Sequence, residues 1–193
     1  LSAQGFMMVI QEVLIGLALG FCMQVVMHVF VLAGQFIAMK MGLGFAAMND
    51  PSSGVSVTIL SQFYLLLSTL LFLSVNGHLV VLQLMVDSFT TFPIGGAGVN
   101  STHFATIVGM GSWLFSAALL ITLPLFTSLL IVNMSFGVMS RSAPQMNVFT
   151  VGFPITLILG FILMWFSLAN FLPVYFDIME EGIGVLRTLA LTP

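Results

Sequence analysis

The sequence predicts an all-α polytopic membrane protein, a single membrane domain over residues 1–193, and three observations carry that expectation. Charge is nearly absent: only 5% of residues are charged, 60% are hydrophobic, and the mean hydropathy is +1.21. Soluble domains carry about a quarter charged residues; three basic and six acidic side chains cannot cover a water-facing surface. Those few charges are also segregated. The stretches Pro51–Val86, Ser88–Ser140 and Ser142–Phe176 hold no Asp, Glu, Lys or Arg, nor does the interval between Glu12 and Lys40. Each exceeds the roughly 20 apolar residues that span a bilayer as a helix. Finally, runs such as Phe63–Leu73 (FYLLLSTLLFL) show none of the apolar–polar alternation of a membrane β-barrel.

Four long helical segments are expected in order. The first covers Gln4–Met39 and contains Gly16, Gly20 and Gly34 as possible kinks. Its GLALG stretch sets Gly16 and Gly20 at the GxxxG spacing that lets helices approach closely. Cys22 reads as a small apolar residue, and His28 is expected to hydrogen-bond a neighbouring helix. The connection Met41–Val57 ends in NDPSSG, where Asp50 suits an N-cap and Pro51 a first helical position. The second segment runs Ser56–Val86. The glycine-rich Phe92–Asn100 (FPIGGAGVN) cannot continue a helix. The third segment covers His103–Met139, where Pro124 frees a backbone carbonyl that Thr122 is placed to satisfy. RSAPQMN (Arg141–Asn147) separates it from the fourth segment, with Ser142 or Ala143 extended before Pro144. The fourth segment covers Gln145–Phe176, with Pro154 and Gly160 available for kinking, and an acidic turn at Asp177, Glu180 and Glu181 comes after it.

Thirty helical residues reach ~45 Å against a ~30 Å hydrocarbon core. Such segments must tilt, kink or leave the bilayer. Four crossings place Lys40 and Arg141 on one side, cytoplasmic by the positive-inside rule, and Asp87 with the acidic turn on the other.

The chemistry of this composition is that of a passive structure. Three basic residues make no nucleic-acid patch. No HExxH, G-x-S-x-G or P-loop is present, so neither catalytic residues, nor a metal site, nor a cofactor is expected. His28, His78 and His103 fall in separate parts of the chain. Carboxylates and basic side chains stand at segment ends, which argues against a stand-alone ion-coupled transporter. Fourteen methionines suit gap-filling in a helix bundle. The stretch after Lys40 is different. Met41–Val57 is apolar and glycine-containing, and backbone of that kind between membrane segments must be buried in protein or line a cavity. A pore plug and a buried re-entrant turn are equally compatible with it.

Three blocks narrow the choice. Gly34–Gly54 (GQFIAMKMGLGFAAMNDPSSG), Leu70–Phe89 (LLFLSVNGHLVVLQLMVDSF) and Arg141–Gly160 (RSAPQMNVFTVGFPITLILG) resemble the FliR/SctT family of type III secretion export gates. FPIG at Phe92–Gly95 resembles that family's turn, and the likeness runs in order from about Gln11 to Phe176.

The resemblance implies a non-enzymatic subunit of a helical hetero-oligomeric gate at the flagellar basal body in the bacterial inner membrane. Its long kinked helices are arranged as hairpins. Its partners would be several copies of FliP-like and FliQ-like subunits, an FlhB-like subunit, membrane lipid and the unfolded proteins it exports, with no nucleic acid. A virulence-type gate is the alternative. By the same resemblance the plug falls on Met41, Gly42, Leu43, Gly44, Phe45, Met48, Asp50 and Pro51. Asn76, Gly77 and His78, and Arg141, Pro144, Gln145 and Asn147, fall on helix turns and subunit contacts. Family members carry further helices before the position of Leu1, so the full protein is expected to extend N-terminal to it.

Overall fold

The computed structural model of the protein describes residues 3–44, 58–96, 100–142 and 148–191. Every regular element among them is an α-helix: α1 (Ala3–Lys40), α2 (Ile59–Ser74), α3 (Gly77–Thr91), α4 (Ser101–Ser142), α5 (Val148–Ala169) and α6 (Phe171–Leu191).

Helix α1 is the centre of the bundle. Its buried positions are Ile15, Leu19, Cys22, Val25, Val26, Val29, Phe30, Ala33, Gly34, Ile37 and Ala38. They recur every three or four residues, some as adjacent pairs, which is one broad stripe of a 3.6-residue helix. The opposite face is also apolar, with Leu14, Leu17 and Phe21 exposed. Hydropathy therefore does not mark the buried side; packing does. Around α1 run α2 antiparallel, α4 parallel and α6 antiparallel, while α3 packs mainly on α6. Gly34 meets Leu60 and Ser61, and Val26 meets Gly182. At the far end Ile15 and Leu19 share a cavity wall with His103, Ile107 and Leu189. Four rings from three helices interlock mid-bundle, Phe30 of α1, Tyr64 of α2, and Phe171 and Tyr175 of α6, with centroids 5.4–6.2 Å apart. Such edge and tilted pairs contribute about 0.5–1.5 kcal/mol each beyond simple burial.

The second segment departs from the expectation of one continuous helix. It breaks into α2 and α3, whose axes differ by 71°. Asn76 adopts φ 58° and ψ 27°, a left-handed conformation that reverses the helical path and that asparagine tolerates better than most residues. A Cβ on Gly77 would run into the Phe72 ring, so glycine is required there. Helix α2 begins at Thr58, whose Oγ1 accepts from the Ser61 N–H at 3.3 Å, a serviceable N-cap.

The fourth segment also differs. It stops at Ala169, turns through Asn170, whose N–H donates to the Ser167 carbonyl at 3.1 Å, and restarts as α6. Asp177, Glu180 and Glu181 are therefore not a terminal turn. They sit inside α6 on its exposed face, while Phe171, Tyr175, Ile178, Met179, Gly182, Leu186 and Leu189 face the bundle. Counting charge-free residues hides this amphipathic period, because the segment's apolar run continues straight across the break.

Among the described residues three helices, in α1, α4 and α5, are long and apolar enough to cross a membrane, or four if the bent α2–α3 pair counts as one span. Helix α4 continues through Pro124. Thr122 does not repair the carbonyl that Pro124 leaves free, which is that of Leu120 four residues back. Its Oγ1 donates instead to Ala118 and Leu119, at 3.0 and 3.1 Å. Beside Pro124 a half-open cleft of about 310 Å³ separates α4 from the α5–α6 break. His28 likewise pairs with its own helix, Nδ1 lying 2.8 Å from the Gln24 carbonyl, not with a neighbour as expected. An exposed ring on a long helix finds its nearest backbone carbonyl one turn back, where it shares that acceptor with its own N–H.

Candidate functional site

The plug stretch leaves α1 through a built turn. Met41 donates to Ile37 at 2.9 Å, Gly42 to Met39 at 3.2 Å, and Leu43 to Ala38 at 2.9 Å. The last two bonds, spanning three and five residues, are the Schellman pattern that closes a helix on a left-handed residue. Gly42 is that residue, at φ +83°, where an L side chain is strained by roughly 1–2 kcal/mol. A glycine that reads in sequence as a weak point of a helix is its terminator.

The capped end of α1 is held on two sides. Met41 is fully buried and lies in a notch of α5 opened by Gly160, where a Cβ would stand 2.6–2.9 Å from Met41 Cγ, Cε and Sδ. A Cβ on Gly42 would meet the Phe153 ring at 2.9–3.0 Å, so α5 also closes over the cap. From the other side, Lys40 Nζ sits 4.0 Å from the centroid of Phe126 on α4, a cation–π contact. Lys40, Met41 and Gly42 thus dock the end of the central helix between α4 and α5. The next residue, Leu43, is half-buried, and among the described residues Gly44 meets Met39, five residues back. Phe45, Met48, Asp50 and Pro51 lie outside the described residues.

The other residues singled out in sequence are scattered. Asn76 and Gly77 form the left-handed break between α2 and α3. His78 opens α3 half-buried, and its Nδ1 is buried with no hydrogen-bond partner among the described residues. Arg141 stands exposed in the last turn of α4, where a cation is favoured by the helix dipole. Ser142 stays helical, and Ala143, Pro144, Gln145 and Asn147 lie outside the described residues. Gly16 and Gly20 are not in close contact among the described residues, since nothing there lies within 4 Å of a Cβ built on either. The tight seam is at Gly34, where a Cβ would stand 2.7 Å from the Leu60 carbonyl oxygen and from Ser61 Cα. Gly34, Gly160, Phe126 and Phe153 were not legible as site residues. The one available signal is that Gly34 falls seven residues before Met41, on the same helical face.

Across known proteins, the model of the family described as bacterial export proteins, family 1, matches residues 2–182. The chain belongs to this family. Among curated relatives, the flagellar biosynthetic protein FliR of Escherichia coli (strain K12) is 44% identical over 155 residues, covering 80% of this chain and 59% of the relative. FliR of Pectobacterium carotovorum subsp. carotovorum is 40% identical over 159 residues, 82% of this chain and 61% of the relative. FliR of Buchnera aphidicola subsp. Acyrthosiphon pisum (strain APS) is 33% identical over 177 residues, covering 92% and 69%. The chain thus spans 59% and 61% of the first two relatives' lengths. In this member of the bacterial export proteins, family 1, the docked turn at Lys40–Gly42 is the point from which the apolar stretch departs.

Proposed function

We propose that this chain is the membrane part of a flagellar type III export-gate subunit, a structural and gating component rather than a catalyst, in the bacterial inner membrane at the flagellar basal body. Membership of the export family and the FliR names of its relatives support the flagellar reading over a virulence-type gate. The observation that carries the gating part is the docked turn. Lys40, Met41 and Gly42 are held between α4 and α5, and the apolar stretch 45–57 leaves from that rigid base. A plug requires this mechanical arrangement: one end fixed, so that displacement by cargo is local and reversal is rapid. The plug in this reading comprises Met41, Gly42, Leu43, Gly44, Phe45, Met48, Asp50 and Pro51, with Met41 and Gly42 as its docked base. Its partners in this reading are several copies of FliP-like and FliQ-like subunits and one FlhB-like subunit, around a channel for unfolded protein. The exposed apolar faces of α1, α4 and α5 would then meet lipid or those subunits.

The test is deletion of residues 45–57 from the full-length protein, leaving Met41–Gly44 in place because Met41 and Gly42 are part of the packed fold. Ion leakage through membrane vesicles is expected, with assembly intact by native mass spectrometry. Sealed vesicles with an intact assembly would defeat the plug assignment. A chain recovered alone or as a simple homodimer would defeat the gate assignment.

A further inference from the structure

The cleft beside Pro124 lies where two helices are interrupted side by side. Helix α4 passes through Pro124, and opposite it the chain breaks between α5 and α6 at Asn170. The depth of this level follows from length and charge. Helix α5 has 22 residues, which reach ~33 Å and match one hydrocarbon core of ~30 Å. Helix α6 continues from it with Asp177, Glu180 and Glu181 exposed, and carboxylates are almost never set against hydrocarbon. The α5–α6 break therefore marks a bilayer surface. Trp165, exposed one turn before the end of α5, fits the aromatic belt of such a surface. Helix α4 agrees: from Arg141, exposed in its last turn, back to Pro124 is ~26 Å, close to the same thickness.

At that level the cleft has an apolar floor and a polar mouth. Leu125 and Phe171 are buried and form the floor; Leu120 and Asn170 are exposed at the mouth, with Ser128 and Ser167 half-buried between. Its volume of about 310 Å³ takes about ten methylenes, each close in size to the ~30 Å³ share of a water molecule. The mouth offers acceptors: the Asn170 amide oxygen, and the Leu120 carbonyl, which faces a residue without an N–H at Pro124. Lysine, arginine and histidine are absent from the lining among the described residues. The first charge along α6 is Asp177, one turn beyond Val174 of the cleft wall. Leu123 on α4 and Phe166 on α5 flank the mouth and are exposed, so the cleft is continuous with the outer apolar surface of these two spans.

We propose that the cleft is a binding site for one phospholipid with an ammonium head group, of the phosphatidylethanolamine type. The upper part of an acyl chain fills the floor against Leu125 and Phe171. The ammonium donates to the Asn170 and Leu120 oxygens and lies toward Asp177. An anionic head of the phosphatidylglycerol type fits less well, because it brings one more negative charge to a wall with no cation and a carboxylate one turn away. The lipid supplies the donor that Pro124 lacks and holds the two interrupted helices at a fixed separation. This assignment rests on the membrane placement of α4 and α5, not on the plug.

The test uses full-length protein carried from its membrane into nanodiscs with the subunits it binds. The discs contain a trace of phosphatidylethanolamine bearing a photoactivatable diazirine on the upper part of its acyl chain, and labelled peptides are read by mass spectrometry. Labelling is expected to concentrate on 120–128 and 163–174. It should exceed that on Leu66 of α2, which is exposed two residues from Tyr64, the partner of the Phe171 ring at this level. In discs of unlabelled phosphatidylglycerol the tracer is expected to label the cleft about fivefold more than in discs of unlabelled phosphatidylethanolamine, the effect of one head-group charge. Ser128→Leu combined with Ser167→Leu fills the cleft and is expected to abolish this labelling while leaving that on Leu66. Three results would overturn the site: cleft labelling no greater than at Leu66, equal labelling in the two kinds of disc, or wild-type labelling of the filled variant. The first two need no variant.

Discussion

Gly34 and the Gly16–Gly20 pair lie on one helix, α1, among similar apolar neighbours, yet they meet opposite surroundings. At Gly34 the backbone of α2 comes so close that a single added carbon would stand 2.7 Å from it. At Gly16 and Gly20 nothing among the described residues lies within 4 Å of an added Cβ. The GxxxG spacing is found at the open pair, and the close approach is found where no such spacing exists. Glycine permits contact; what crosses in front of it decides whether contact occurs.

The contrast is easiest to break at Gly34. Gly34→Leu must push α2 away by its backbone, since neither Leu60 O nor Ser61 Cα can rotate aside, and is expected to destabilise the full-length protein by about 3 kcal/mol or more. Thermal unfolding in detergent reads this, and a wild-type midpoint would remove the seam. Met41→Ala comes next. It empties the Gly160 notch of a fully buried side chain, at about 2–4 kcal/mol. Gly160→Ala presses only on a flexible methionine and is expected to cost less; the two changes together should be non-additive in a double-mutant cycle.

Gly42→Ala strains the α1 terminator by roughly 1–2 kcal/mol, and Gly42→Asn by less, because asparagine is the second-best residue at that position. Equal effects of the two in a urea or thermal series would mean that the Phe153 ring, not backbone strain, sets the cost. Lys40→Met keeps the stem and removes the charge over Phe126, a loss of about 0.5–1 kcal/mol, detectable as a small midpoint shift that Phe126→Leu should reproduce. Smallest is Gly16→Ala with Gly20→Ala. With open space at both sites, stability of the isolated protein is expected to hold or to rise by up to about 1 kcal/mol, from helix propensity alone. If the assembly nevertheless falls apart on native mass spectrometry, that face of α1 belongs to another subunit.

The legibility of the sequence divides along the same line. Helix existence is plain, because long charge-free runs admit little else. The break at Asn76–Gly77 is local chemistry, a left-handed residue beside a glycine, and falls within a block that carries the family resemblance. The break at Asn170 escapes a reading of the sequence, because one asparagine inside an apolar run is a weak stop signal and proline appears three residues later. The orientation of α6 escapes it for a related reason. Asp177, Glu180 and Glu181 read as the end of a membrane segment when they are the outer face of a helix that continues. At the candidate site, Met41 and Gly42 stand out in sequence for apolarity and flexibility, and the structure adds that Met41 is buried against Gly160 and that Gly42 caps α1.

By itself the sequence determined an all-α chain whose segments are too apolar for water, where most of them end, and which stretch between them is apolar and glycine-containing. Those properties depend on composition and on neighbours along the chain. Only the tertiary structure decided which face of α1 is inside, which glycines are crowded, that Met41 seats against Gly160, and that Phe92 packs against His103. In a helix apolar on every side, hydrophobicity no longer distinguishes the buried face from the exposed one. The choice then falls to steric fit between residues far apart in sequence, such as Gly34 with Ser61 and Met41 with Gly160, and no local pattern records it.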